Sequence, residues 1–126
     1  MNRTDSFPQS FKERVCMIPG IQSERIERLF KIGGEPFLKE LLKTAKENML
    51  KRSDEMRQAL EAYQIENIRK AAHSIKSSSG NIGLENLMIL ARNIEEGETI
   101  NSDQIDELLK KIHILKGNIE SLFKKE

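Results

Sequence analysis

Apolar residues return along the chain at intervals of three and four, the period of α-helices that bury one face. No segment sustains the every-second-residue alternation of a half-buried strand. Breaks are few and fall mainly at Pro8, Pro19-Gly20, Gly33-Gly34 with Pro36, Gly80, Gly83, Gly97 and Gly117. The spacing predicts a short amphipathic helix over Phe11–Ile18, stopped by Pro19. A second is expected over Glu24–Lys31, with Ser23 as N-cap and Ile26, Leu29 and Phe30 inward. Gly33-Gly34-Glu35-Pro36 supplies a stop, a turn and a proline suited to a first helical turn. The longest run, Phe37 to about Tyr63, carries the stripe Leu38, Leu41, Leu42, Ala45, Met49, Met56, Ala59 and Leu60. Its methionines are read as core filler. Further helices are expected over about Ile65–Ser79, Leu84–Glu96 and about Ser102–Phe123, the last capped by Ser102 with Asp103 and Asp106 in its opening turn.

Long helices with short connections favour antiparallel neighbours. The expected fold is therefore all-α: an antiparallel four-helix bundle with one or two short extra N-terminal helices. Residues 1–22 read as an N-terminal extension holding a short capping helix, and 23–123 as the bundle domain. The extreme N-terminus is the one segment expected to be loose.

Composition agrees and narrows the function classes. The 126 residues fit one domain. Hydrophobic residues reach 37% but aromatics only 5%, with no Trp, so the core must come from Leu, Ile, Ala and Met. With 21 Lys+Arg against 20 Asp+Glu, the net charge is +1, which argues against a chain-wide attraction to nucleic acid or anionic lipid. The single Cys16 excludes an internal disulfide and a multi-cysteine zinc site, and it reads as a small buried or half-buried thiol and not a reactive one. No secretory h-region and no apolar run long enough to span a bilayer is present. A cytoplasmic domain is expected.

Few residues offer chemistry. There is no HExxH, CxxC, GxxxxGK or GxGxxG pattern, and no nucleophile elbow. The two histidines remain. In Ala71-Ala72-His73-Ser74-Ile75-Lys76-Ser77-Ser78-Ser79-Gly80-Asn81-Ile82-Gly83, the residues Ile65, Ile68, Ala72 and Ile75 share an inward sector, and His73 falls roughly 120° away from it. It should face solvent, with Arg69, Lys76, Ser77 and Gly80 as helical neighbours and no carboxylate orienting the ring. An unperturbed imidazole, with a pKa of about 6.5, is largely a neutral nucleophile at pH 7. Phosphorylated, the ring would carry about two negative charges. Lys76 and Arg69 are the candidates to stabilise them, with Ser77 as a hydrogen-bond donor. Small residues after the histidine leave room for a flat partner surface.

The run AAHSIKSSSGNIGLENL resembles the signature of histidine-containing phosphotransfer (HPt) domains: Ala72-His73, Lys76, small Ser77, Gly83 and Leu87. The stretch from Glu27 to Leu41 is similar to the family's entry into its first long helix, so the resemblance covers about Ser23 to Leu122. Two positions depart from the family pattern: Ser77 stands where Gly is usual, and Tyr63-Gln64 where the turn is often Gly-Asp. The resemblance implies a four-helix bundle with a solvent-exposed phosphoacceptor histidine. It also implies receiver domains of response regulators and hybrid kinases as partners.

His113, in His-Ile-Leu-Lys-Gly, matches the short core H-x-L-K-G more closely. Yet Ile112 precedes it, Phe123 stands at +10, and only 13 residues follow, too few for the two helices expected downstream. It reads as an edge residue beside the stripe Ile105, Leu108, Leu109, Ile112, Leu115 and Ile119.

The reading is a monomeric phosphorelay carrier without kinase activity of its own. His73 is the phosphoacceptor, Lys76 and Arg69 stabilise charge, and Ser77, Gly80 and Gly83 shape docking and access. No metal or cofactor is expected on the chain, and the Mg²⁺ belongs to the receiver. The competing class is a helical interaction adaptor without phosphoryl chemistry. A small hydrolase or phosphatase is a weaker third, with no acid/base or metal constellation behind it. Gly80 and Gly83 also have a plain structural reading, as the end of one helix and the turn into the next. The serines 77–79 carry little weight as regulatory phosphosites.

Overall fold

The computed structural model describes residues 9–124. The expected looseness of the extreme N-terminus falls mostly outside them. Five helices follow in order: α1 (Phe11–Cys16), α2 (Ser23–Glu61), α3 (Ile65–Asn81), α4 (Glu85–Glu96) and α5 (Ser102–Lys124). No strand occurs among the described residues, only an isolated bridge between Ile21 and Leu84. Helices α2, α3, α4 and α5 contact one another in cyclic order, and α1 lies across α2 and α5. The all-α bundle expected from the apolar period is the fold observed.

The order of contacts along the helices gives their direction. Asn48 bonds Ser78 and Arg52 bonds Ser74, so α2 and α3 run antiparallel. Gly80 lies against Met88, while His73 meets Glu95, so α3 and α4 do likewise.

The inward stripe is largely as the spacing predicts. Ile26, Leu29, Leu38, Leu42, Ala45, Met49, Met56 and Ala59 are buried, and Leu41 and Leu60 are partly buried against them. Ile68, Ala72 and Ile75 are buried on α3, joined by Ala71. Ile65 is a correction, because it is 51% exposed at the first position of α3, where the bundle has not yet closed around the helix. The reverse holds for Ser53. It is buried on α2 because its hydroxyl donates to the Met49 carbonyl, 2.7 Å away, so the polar atom is satisfied within the helix.

Several boundaries also differ: α1 ends at Cys16, two residues short of the expected Ile18, and three others bear on how α2 and α5 begin or bend. The break at Gly33-Gly34 does not open into a loop. Gly34 alone leaves helical geometry, at φ 72° and ψ −163°, and the helix resumes with Pro36 in its first turn. Positive φ is cheap for glycine, so α2 kinks where a turn was expected. The second limb, residues 35–61, runs about 40 Å at ~1.5 Å per residue. Ser23 is the first helical residue and not the cap; Gln22 holds that position without a side-chain cap bond. At α5 the cap is Asn101, whose Oδ1 accepts from the backbone N–H of Asp103 and Gln104 at 2.9 and 3.2 Å, so Ser102 lies one place inside.

Helix α1 is integral to the core. Ser10 and Glu13 form a reciprocal capping box at its start. Phe11 and Val15 are buried, and the Phe11 ring stands 5.4 Å from that of Phe123. Cys16 is a half-buried free thiol packed against this cluster.

The turn between α2 and α3 holds a non-glycine residue at positive φ: Tyr63, at 55°. Its side chain is 89% exposed, so the strained backbone is not offset by burial. Left-handed geometry costs an L-residue roughly 1–2 kcal/mol. Tyr63→Gly should therefore raise the thermal midpoint by a few degrees in a calorimetric scan, whereas Tyr63→Val should lower it.

Candidate functional site

His73 sits in the middle of α3 with its side chain 60% exposed, as its angular offset from the apolar stripe predicts. The helix beneath is fixed on two sides. Toward the interior it packs through Ile68, Ala71, Ala72, Ile75 and Ser79. Toward α2 a polar clamp forms: the Asn48 side-chain amide donates to Ser74 Oγ at 3.0 Å and Ser78 Oγ at 2.6 Å, and Arg52 Nε donates to Ser74 Oγ at 3.1 Å. Ser79 is fully buried and donates to the Ile75 carbonyl. Of the serines 77–79 only Ser77 is exposed, one turn beyond His73.

The α3–α4 turn sets the register that completes the site. Gly83 lies at φ +79°, and a Cβ there would come within 3.0 Å of Arg25 Cβ. Its carbonyl accepts from Gln22 N–H at 2.9 Å, tying the turn to the start of α2. A Cβ at Gly80 would stand 3.0 Å from Met88 Sδ, so this glycine lets α4 approach α3 closely. Both glycines act here in helix packing and turning, below the surface on which His73 stands.

That register brings Glu95 of α4 to the histidine. His73 Nδ1 lies 2.6 Å from Glu95 Oε2, and Lys76 Nζ lies 2.7 Å from Glu95 Oε1. The lysine and the carboxylate form an ion pair. The ring was expected to lack an orienting carboxylate. Glu95 corrects that expectation, and it is the residue of the site that sequence reasoning missed. It lies 22 residues beyond the histidine, and only the α3–α4 register reveals the pairing.

Burial alone would raise the Glu95 pKa, but Lys76 and His73 outweigh it and hold the carboxyl below its ordinary value of 4.5. Glu95 is thus ionised at neutral pH and offers only acceptors. A neutral His73 must then carry its proton on Nδ1 and keep the Nε2 lone pair free. Among the described residues Nε2 has no hydrogen-bond partner in the protein.

The other predicted site residues fall in two places. Lys76 joins the His73–Glu95 pair. Arg69 turns instead to the end of α4, where Nη1 donates to the carbonyls of Glu95 at 2.8 Å and Gly97 at 2.7 Å. His113 is an exposed residue of α5 with no such partners. No cluster of three or more His, Cys, Asp and Glu residues able to hold a metal exists among the described residues.

Because folding lowers the Glu95 pKa, its ionic contacts stabilise the fold fully above the ordinary carboxylate value. They are lost as pH falls through the lower folded value. A ¹³C titration of the Glu95 carboxyl should show a midpoint below 4.5. In Lys76→Met that midpoint should rise toward the ordinary value; an unchanged midpoint would show that the lysine does not hold the carboxylate.

No described helix is long and apolar enough to cross a membrane. Searches of curated proteins and of solved structures find no match. A family model does match: that of the Hpt domain, over residues 40–117. The matched span contains His73, Lys76 and Glu95, and it begins at Glu40, downstream of most of the Glu27–Leu41 stretch whose resemblance was noted. With well over half of its length matched, the chain belongs to the Hpt domain family, whose members are phosphorelay carriers.

Proposed function

We propose that this protein is a monomeric, cytoplasmic phosphocarrier that accepts and donates a phosphoryl group on His73 Nε2. Its partners are the aspartates of receiver domains in response regulators and hybrid kinases. The observation that carries this reading is the exposed imidazole anchored by an ionised carboxylate at Nδ1. One nitrogen is tied to the protein, and the other is left outward with its lone pair.

Transfer from a receiver aspartyl phosphate follows from that geometry. The Nε2 lone pair attacks phosphorus, the N–P bond forms, and the P–O bond to the aspartate breaks. The bonding electrons leave with the aspartate carboxylate. The Nδ1 proton stays where it is, facing Glu95, so the positive charge that develops on the ring meets a fixed negative charge. Lys76 lies beside the ring to balance the incoming phosphoryl oxygens. Phosphoryl transfer depends chiefly on positioning and electrostatics, which a rigid helix face can supply. The Mg²⁺ sits with the receiver. On this reading the chain is a carrier and the phosphoryl group reaches it from a receiver, without kinase activity of its own. Return of the phosphoryl group to another receiver runs the same steps backwards. Exposed Ser77 keeps the approach to the ring low enough for a flat partner, and Gly80 and the Gly83 turn serve it through the packing of α4 against α3.

The test is phosphoryl transfer from a panel of Mg²⁺-loaded, phosphorylated receiver domains to wild type, His73→Gln and His113→Gln. Label should reach wild type and His113→Gln and be absent from a folded His73→Gln, and it should be acid-labile and base-stable. Label lost only in His113→Gln would move the site to α5. Binding of receivers without any transfer would favour the helical adaptor.

A further inference from the structure

Arg69 stands one turn before His73 on α3. Its guanidinium is committed to two backbone carbonyls, those of Glu95 and Gly97. Helix α4 ends at Glu96, and Gly97 follows in extended geometry. Carbonyls in a last helical turn have no intrahelical donor, and such turns fray unless another group holds them. The residue whose carbonyl Arg69 holds is the same one whose carboxylate meets His73. Three side chains from successive turns of α3 therefore converge on one residue of α4: Arg69 on its backbone, His73 and Lys76 on its carboxylate.

We propose that Arg69 is a positioning residue. By closing the last turn of α4 it fixes the Glu95 carboxylate where it selects the Nδ1–H form of His73 and leaves Nε2 as the nucleophile. The consequence for transfer rests on the reading of His73 as phosphoacceptor, while the consequence for the imidazole does not. The competing role for a cation at this place is direct attraction of the phosphoryl group. The two carbonyl bonds argue against it, because a guanidinium that leaves them uncaps α4. Charge and geometry separate in the conservative variant. Both bonds come from the single nitrogen Nη1, and Arg69→Lys keeps the charge on a stem one bond too short to bring its nitrogen to that place.

The experiment reads the ¹⁵N resonances of the His73 ring in the full chain, in mildly alkaline buffer where an imidazole is neutral. Wild type is compared with Arg69→Lys, Arg69→Gln, Glu95→Ala and the Arg69→Gln/Glu95→Ala double variant. Wild type should be mainly the Nδ1–H form. Each single variant should shift the ratio several-fold toward Nε2–H, and the double variant should match Glu95→Ala. Where transfer is measured, Arg69→Gln should slow it about tenfold, with no further loss in the Glu95→Ala background. A wild-type tautomer ratio in folded Arg69→Gln would overturn the proposal. So would a transfer defect that adds in full to that of Glu95→Ala, since Arg69 would then act independently of the carboxylate. Should Arg69→Gln lose its helical circular dichroism, Arg69→Lys makes the same comparison. A wild-type protein that takes no label defeats the carrier reading, and the tautomer ratios still decide this one.

Discussion

Helix α3 is gripped on three sides, and the exposed imidazole of His73 stands at the edge of what remains. Its apolar face sinks into the core through Ile68, Ala71, Ala72 and Ile75. Its serine face is clamped by Asn48 and Arg52 of α2. Its third face closes on α4, through Gly80 near the turn and through Glu95 at the far end. The residues on that third contact are also the ones with chemistry. An exposed histidine on a lone helix would exchange among its allowed rotamers. Here the ring is pinned through Nδ1, and the carboxylate that pins it is held by α3 itself.

This arrangement explains which parts of the molecule the sequence discloses. The helical period of Leu38, Leu42, Ala45 and Met49, or of Ile105, Leu108 and Ile112, is local, so it can be read directly. So can the exposure of His73, which follows from its angle to Ala72 and Ile75. The ends of helices are less legible, since neighbouring polar residues compete for the same role. Asn101 and Ser102 are both good caps, and only the backbone path decides between them. Gly33-Gly34 permits either a loop or a kink, and the packing of Leu29 and Leu38 into one core favours the kink. Glu95 is legible only in combination. Its place opposite His73 depends on the length of the α3–α4 turn, the positive φ of Gly83 and the close approach at Gly80. Among twenty acidic residues, no local feature marks it out.

Arg69 shows the opposite case, a residue whose sequence position is informative while its partner is not. One turn before a histidine, an arginine reads naturally as a phosphate ligand. The C-terminus of α4 offers it two carbonyls, and the two protons of one guanidinium nitrogen, Nη1, serve both. The preference is physical: buried or half-buried carbonyls need a donor at all times, whereas a phosphoryl group would be present only part of the time.

The same permanence bears on how readily the site would release a phosphoryl group. In the resting protein Lys76 is already neutralised by Glu95, and the pair needs no ligand to be stable. A phosphoryl group on Nε2 would have to share that lysine with a carboxylate which cannot leave, because His73 Nδ1 and the end of α4 both hold it. Stabilisation of the loaded state is thereby limited, and a carrier that must pass its group onward is served by that limit: binding the bound group too well would make the histidine a sink. On the proposed reading Glu95 has two opposed effects, sharpening the nucleophile through Nδ1 while tempering the lysine through Oε1. The first makes the histidine a ready acceptor and the second keeps it from holding the group too tightly, a balance that suits a relay between two aspartates.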